Sequence, residues 1–277
     1  MNPAGGAVLS AAIDAARLLL GERLTAAFAI GSLAHGGFVP SVSDVDLALI
    51  VRGVDASDQA TIDAVAERTQ QSTPGELAER LSIFWGSWDS LAGGADHGRF
   101  PAIDRLDLLR SGVLLAGLDE RARVPEPTHA EVVIETAQFA LAKLHDPSSI
   151  ARLSDPAGLL RDGRRAVTKA VLSPVRFLFT GETGGIGSND DAAAWYSSTR
   201  AVAPELVRAG VGWRTAGIED TADALRLLGS DLLPLHVEFL GAYAQLTRDA
   251  GQPDLADALA TVQHSLTSAA GAPSILP

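Results

Sequence analysis

The strand-like and helix-like segments of this 277-residue chain are unevenly distributed along it. Short apolar runs at 24–30, 44–51 and 80–85 have the length and composition of β-strands, helices are expected at 7–20 and 57–71, and 103–116 fits either state. After "RVPEPT" (123–128) apolar residues recur only at helical spacing, in segments at 128–145, 157–180, 190–209, 218–229 and 235–269. The pattern predicts an α+β fold, with a small mixed-sheet domain at 1–125 and an all-helical bundle at 126–277.

Charge and composition exclude several functional classes. The formal net charge of −12 disfavours a nucleic-acid partner and favours a cationic small molecule. The absence of cysteine excludes disulfides, thiolate catalysis and Cys-ligated zinc. The first 23 residues lack a basic segment and are interrupted by Asp14 and Arg17, which predicts an amphipathic helix and not a secretory signal. We therefore expect a cytoplasmic protein without a membrane span.

The stretch "FAIGSLAHGGFVPSVSDVDLALIV" (28–51) places two carboxylates inside an otherwise apolar strand-like run. Because side chains alternate along a strand, Asp44 and Asp46 share one face, with backbones about 6–7 Å apart. Unpaired carboxylates in a core would be costly, whereas Mg²⁺ prefers one or two carboxylates and completes its shell with phosphates and water. The pair predicts a magnesium site for a triphosphate, although a generic Asp-x-Asp pattern also occurs in exposed turns.

The residues before this pair suit a phosphate. Strand 24–30 ends in Gly31-Ser32, and "SLAHGG" can form a short helix whose free N–H groups face an anion. Glycine permits close approach, and the Ser32 hydroxyl adds a donor. Ser43, directly before the aspartates, is a further candidate for nucleotide binding, whereas His35 fits an ordinary turn histidine better than a phosphate contact.

The spacing of these residues resembles the signature of the DNA polymerase β-like nucleotidyltransferase superfamily. The matching pattern is an apolar residue, Gly31-Ser32, eleven intervening residues and then Asp44-Val45-Asp46-Leu47. Within the superfamily the chain is most similar to bacterial aminoglycoside adenylyltransferases, which pair a mixed-sheet domain with a helical bundle. "FLFTGETGGIGSNDDAAAWY" (177–196) resembles a helix–loop–helix of those enzymes. The resemblance implies transfer of a nucleoside monophosphate, AMP from ATP, to a hydroxyl of a small acceptor.

The chain departs from the family pattern where a third carboxylate is expected on a neighbouring strand. The matching position in "RLSIFW" is Ser82, which cannot act as a base. Glu79 or Asp89 would replace it if the register were shifted. A base from the bundle is the other possibility, and we favour Glu135 within the stripe formed by Glu131, Glu135, Gln138 and His145.

A second departure concerns the cations that would bind phosphate. The family often has a lysine after a Thr-Gly turn, but here Thr180-Gly181 is followed by Glu182, which would repel a triphosphate. Lys169 and Arg176 are the replacement candidates, with Arg164 and Arg165 behind them.

The predicted function is therefore a Mg²⁺-dependent nucleotidyltransferase that uses ATP and a cationic acceptor such as an aminoglycoside. Two alternatives stay open: a degenerate relative that binds a nucleotide or a protein without transfer, and an enzyme that modifies a protein or a tRNA end. Neither the oligomeric state nor the acceptor can be read from the sequence.

Overall fold

The computed structural model describes residues 1–55, 57–93, 98–144 and 146–271. Its contacts divide the chain into two compact units, Met1–Pro127 and Thr128–Pro277. Hydrophobic clusters form separately within each unit, and the α+β fold class predicted from the sequence is confirmed.

The first unit is built on a four-stranded mixed sheet. In chain order its elements are α1 (Pro3–Leu20), β1 (Leu24–Ile30), α2 (Ser32–His35), β2 (Val45–Val51), α3 (Asp58–Ser72), α4 (Glu76–Glu79), β3 (Leu81–Gly86), α5 (Trp88–Gly93), α6 (Ala102–Ser111) and β4 (Val113–Gly117). The strand order is β3-β2-β1-β4; β2 and β3 are parallel, and β1 is antiparallel to both of its neighbours. The three predicted strands are observed, and segment 103–116 contains both a helix and a strand.

One face of the sheet is covered by α1 and α3. The Asn2 side chain caps α1 by accepting from the Ala4 N–H at 3.0 Å, and Gly21 ends the helix with φ 55°. Leu9 of α1 and Val65 of α3 pack with Leu47 and Leu49 of β2. This face is aliphatic almost throughout, so it serves as core.

The opposite face has a different composition. Phe28 of β1 and Ile50 of β2 pack there with Trp88 of α5 and Leu108 of α6. Alternation along β2 places Asp46 on this same face, at the end where the strand begins. The site therefore forms where this second core layer ends.

The first helix, α1, is composed mostly of apolar residues. Pro3–Arg23 is long and apolar enough to cross a membrane by length and composition alone, as core helices of soluble proteins also are. Its residues Val8, Leu9, Ala12 and Ala16 are buried in the core beside the sheet. The absence of a membrane span and the cytoplasmic location stay predictions.

The second unit is helical throughout its described residues. Its elements are α7 (His129–Leu144), α8 (Pro147–Leu153), α9 (Pro156–Arg161), α10 (Arg164–Thr183), α11 (Asn189–Thr199), α12 (Pro204–Ala216), α13 (Thr221–Asp249) and α14 (Pro253–Gly271). The predicted break between 229 and 235 is wrong, because α13 continues through Pro234. The buried side chains of Leu232 and Leu235 on either side anchor this helix in the core, which outweighs the backbone hydrogen bond that a proline removes.

Candidate functional site

The turn after β1 brings Gly31 against a carboxylate of β2. The antiparallel register pairs Ile30 with Asp46, and a Cβ placed on Gly31 would collide with the Asp46 carboxylate. Gly31 also has φ 62° and ψ −150°, a conformation that residues with a side chain rarely adopt. Backbone geometry and close approach thus both require glycine here, and Ser32 follows as the first residue of α2.

The predicted metal ligands lie at the start of β2. The strand was predicted to begin at Asp44, but it begins one residue later, so Asp44 directly precedes β2 and Asp46 is the second residue of the strand. Both are half-buried, whereas the flanking Val45 and Leu47 are fully buried on the aliphatic face. The structure therefore brings Gly31, Ser32, Asp44 and Asp46 to one end of the sheet.

The loop that leads into Asp44 is braced from two sides. The buried Ser43 hydroxyl accepts a hydrogen bond from the Val39 N–H at 3.0 Å. The Arg80 guanidinium donates to the carbonyl oxygens of Ser43 at 3.0 Å and of Pro40 at 2.6 Å. Ser43 thus has a structural role in fixing the backbone before Asp44, and its contact with a nucleotide stays a prediction.

The position expected to carry a third carboxylate holds a serine beside a cation. Parallel pairing of β2 with β3 places Ser82 next to Asp46. Arg99 has one terminal nitrogen 3.4 Å from the Ser82 hydroxyl and the other donating to the Ile83 carbonyl at 3.0 Å. Its guanidinium also lies 4.9 Å from the centre of the Phe84 ring. A positive charge is therefore located where the family pattern expects a negative one.

The alternative carboxylates near β3 are exposed. Glu79 ends α4 with an exposed side chain, and Asp89 pairs with Arg123 at 3.0 Å with a side chain that is 87% exposed. Neither side chain is enclosed by the protein. Both stay predictions from the sequence.

A carboxylate that the sequence reasoning missed lies on α6. Asp107 is only 7% exposed, and its Oδ2 accepts a hydrogen bond from the Gly31 N–H at 2.7 Å. The Nε2 of His35 lies 3.9 Å from the same oxygen. The available signal was an aspartate directly between Leu106 and Leu108, since an acidic residue that is buried among apolar neighbours needs a partner.

The donor set fits Mg²⁺ bound together with a triphosphate. Among the described residues no group of three or more histidine, aspartate or glutamate side chains is arranged to hold a metal ion. Two half-buried carboxylates suffice for Mg²⁺, which takes its remaining ligands from phosphates and water, whereas a metal held by protein alone would need more. Asp44 and Asp46 are the residues that would hold it.

The remaining predicted site residues lie in the second unit. Glu135 is half-buried on α7, and Lys169 and Arg176 are exposed on α10. The two cations are seven residues apart, so they share a helix face about 10 Å from one another along the axis. The roles of all three stay predictions, and His145 lies outside the described residues.

Glu182, whose charge was expected to repel a triphosphate, is paired within the second unit. Arg200 contacts Glu182 through one terminal nitrogen and Glu238 through the other, the latter at 2.9 Å. The Tyr196 hydroxyl lies 3.4 Å from Glu238 and donates to the Val202 carbonyl at 3.0 Å. Burial, with a smaller contribution from Glu238, raises the pKa of Tyr196. One arginine thus offsets part of the charge of two carboxylates.

The fold, a small mixed sheet followed by a helical unit, is similar to that of an aminoglycoside adenylyltransferase, so the predicted resemblance is confirmed at the level of the fold. The chain is similar in structure to spectinomycin adenyltransferase AAD(9) from Enterococcus faecialis, which was crystallised with ATP and spectinomycin. The TM-score is 0.56, the match covers 81% of this chain and 98% of that one, and the sequence identity is 12%. At this identity the likeness shows the fold alone.

No protein-family model matches the chain, and no curated protein matches it.

Proposed function

We propose that this protein is a Mg²⁺-dependent nucleotidyltransferase that moves AMP from ATP to a hydroxyl of a small cationic acceptor such as an aminoglycoside. The observation that carries the proposal is the contact between the Gly31 turn and the Asp46 carboxylate, with Asp44 two residues earlier. A phosphate-binding turn and a pair of hard oxygen ligands are neighbours on adjacent strands. That combination suits a metal-bound triphosphate better than a purely structural role for half-buried carboxylates.

Each part of the site has a defined task in this proposal. Asp44 and Asp46 hold the metal, which when bound offsets the charge of the phosphates and activates the acceptor hydroxyl. Gly31 lets the backbone approach the phosphates, and the N–H and hydroxyl of Ser32 donate to them. Ser43 and Arg80 keep the loop before Asp44 in place.

The acceptor is proposed from charge and from the structural neighbour. The net charge of −12 favours approach of a polycationic molecule. The neighbouring structure contains ATP and spectinomycin, which supports a nucleotide and a small-molecule acceptor here. In the second unit, Lys169 and Arg176 are proposed to bind phosphate and Glu135 to accept the proton of the acceptor hydroxyl.

Calorimetry of ATP binding, with and without Mg²⁺, tests the metal site through Asp44→Asn. Because losing a residue that only orients a metal ligand costs about 10–100-fold, removing a ligand itself should weaken Mg²⁺-dependent binding by about 100-fold or more. Asp63→Asn is the matched control, since Asp63 is an exposed residue of α3 whose carboxylate accepts a hydrogen bond from Gln59 one turn earlier in the same helix. Unchanged affinity in Asp44→Asn would show that the metal site is misplaced.

Transfer is tested separately by following pyrophosphate release from ATP with a panel of aminoglycosides. Release that requires both ATP and one acceptor supports the enzyme. Tight Mg²⁺-dependent binding of ATP without release, with any acceptor of the panel, would instead identify a nucleotide-binding relative that has lost transfer.

A further inference from the structure

Asp107 lies outside the sequence motif but contacts its central glycine. It belongs to α6, 76 residues beyond Gly31, and its carboxylate reaches the Gly31 N–H at 2.7 Å. That distance is typical of a hydrogen bond strengthened by a charged acceptor. The Asp107 carboxylate thus faces the Gly31 peptide of the phosphate-binding turn. Among the described residues, it does not face a basic partner on α6.

The conformation of Gly31 explains why such a contact is needed. Glycine adopts a φ of 62° and a ψ of −150° without steric strain, but it has more backbone freedom than any other residue, so surrounding contacts are needed to hold it in this one conformation. The Asp46 carboxylate lies against the position of the missing Cβ, and Asp107 holds the peptide nitrogen. Two carboxylates therefore fix one glycine from different sides.

Asp107 is an expensive way to stabilise a fold. It is 7% exposed, and its second oxygen, Oδ1, is buried without a hydrogen-bond partner in the part of the chain that the structure describes. Asp58, the other deeply buried carboxylate of this unit, is paired with the Arg23 guanidinium at 2.7 Å and accepts from the Asp55 N–H at 2.9 Å. Among the described residues, both carboxylates have one buried oxygen without a hydrogen bond, but that oxygen of Asp58 lies 2.7 Å from the Arg23 guanidinium. The basic group beside Asp107 is the His35 ring, whose Nε2 lies 3.9 Å from Oδ2. Because a buried charge is costly unless it is closely paired, structural stability accounts for Asp58 better than for Asp107.

We propose that Asp107 is a positioning residue of the nucleotide site, which fixes the Gly31 peptide so that Ser32 and Asp46 keep the geometry needed for a metal-bound triphosphate. This inference rests on the proposed function. One consequence is that the Gly31 N–H is occupied by Asp107, so the backbone contact with phosphate falls to Ser32. A second consequence is that the positioning of Gly31 requires an acceptor oxygen at residue 107 but not its negative charge, because an asparagine amide oxygen accepts the same hydrogen bond from the Gly31 N–H.

The experiment compares Asp107→Leu, which keeps the branched shape of the side chain and removes both oxygens, with Asp107→Asn, which keeps one acceptor oxygen. Two quantities are measured: hydrogen exchange of the Gly31 amide in the unliganded protein, and the Kd for ATP with Mg²⁺. In Asp107→Leu we expect Gly31 exchange to rise at least about tenfold relative to the Phe28 amide, and ATP affinity to fall about 10–100-fold. Asp107→Asn should restore both quantities to within about threefold of the wild type.

Asp58→Leu is the matched control, because it removes a carboxylate of equal or greater burial from the same unit. It should lower the midpoint of thermal unfolding and leave both the ATP affinity of the folded protein and the Gly31-to-Phe28 exchange ratio unchanged. If Asp107→Leu does not fold, Asp107→Ala is measured in its place.

The outcomes separate this inference from the proposed function. Wild-type Gly31 exchange and ATP affinity in Asp107→Leu would overturn the positioning role, as would an Asp107→Asn protein as impaired as Asp107→Leu. If the wild-type protein does not bind ATP with Mg²⁺, the proposed function fails and the positioning of a nucleotide fails with it. A raised Gly31 exchange in Asp107→Leu would then still show that Asp107 fixes the turn, for a purpose other than ATP.

Discussion

The two units use their buried polar groups differently. In the second unit, side-chain donors bind backbone carbonyls: Tyr243 donates to Phe177 at 2.7 Å, and His236 to Ala170 at 2.9 Å. In the first unit, carboxylates cluster at one end of the sheet, and Asp107 accepts from a backbone N–H of the turn beside Asp46. Side-chain donors that bind the carbonyls of another helix hold the two helices together. The acidic groups around Gly31 instead fix the conformation of a turn, and Asp46 beside it stays half-buried. Polar burial around Gly31 thus points to function, whereas the buried donors of the second unit point to packing.

The largest effect in this comparison is expected from Gly31→Ala in the first unit. A Cβ would collide with the Asp46 carboxylate and would force an unfavourable positive φ. We expect a stability loss of about 1–3 kcal/mol. Mg²⁺-dependent ATP binding should fall by about 100-fold or more, since both the turn and a metal ligand move. Urea unfolding and calorimetry measure the two effects.

Gly53→Ala separates the two effects of Gly31→Ala, the backbone strain at a positive φ and the collision of the new Cβ with Asp46. Gly53 has a similar φ of 71°, but a Cβ there meets no heavy atom within 4 Å. Gly53→Ala should cost less stability than Gly31→Ala, because only the strain remains, and it should leave ATP affinity unchanged. Equal losses of affinity in the two variants would contradict the special role of the Gly31–Asp46 contact.

The sequence predicted the part of the site that is local in the chain. Gly31, Ser32, Asp44 and Asp46 lie within one stretch, and alternation along the predicted strand 44–51 predicts that the two aspartates share a face. The Ser82 position followed from strand pairing, and the observed register places it beside Asp46. These predictions follow from the two-residue period of β-strands and from the spacing of the motif residues, both of which can be read from a single sequence.

What the sequence did not predict depends on contacts between distant segments. Nothing in "RLDLLR" shows which N–H the Asp107 carboxylate reaches, because its partner lies 76 residues away. The continuity of α13 through Pro234 likewise depends on the surrounding core and overrides the local breaker signal. Arg200 could not be identified as the partner of Glu182 and Glu238, since three separate segments meet there.

A smaller, pH-dependent effect is expected in the second unit from His236. Its Nε2 faces the Ala170 carbonyl, which only accepts, and its Nδ1 is buried without a hydrogen-bond partner among the described residues. Burial lowers the pKa of His236 from 6.5 to about 4, so the folded protein keeps the ring neutral. Between these values the unfolded chain binds a proton that the folded chain does not, and stability falls as the pH falls, by about 3 kcal/mol in total.

Urea unfolding at about pH 7.5 and about pH 4.5 measures this loss, and His236→Gln should reduce it because glutamine does not titrate. His264→Gln, which changes an exposed histidine of α14, should retain the wild-type pH dependence. A pH dependence unaltered by His236→Gln would show that the stability of the helical unit is set by other groups.

The smallest effect is expected from Ser82→Ala. Ser82 lies beside Asp46 and 3.4 Å from Arg99, at the position where a third carboxylate would act as a base. A general base contributes about 10²–10⁴-fold to a rate. A change of less than about twofold in ATP affinity and in pyrophosphate release would therefore show that Ser82 does not act as the base. Both are measured beside Asp46→Asn, which removes the neighbouring carboxylate.

A large loss of pyrophosphate release in Ser82→Ala would place the proton transfer in the first unit and not in the second. It would mean that the hydroxyl, held by Arg99 next to Asp46, takes part in the reaction, and that the base need not come from Glu135 in the helical unit. A small loss in Ser82→Ala together with a loss of release but not of ATP binding in Glu135→Gln would instead assign proton transfer to Glu135. The two variants therefore decide which of these side chains takes the proton of the acceptor hydroxyl.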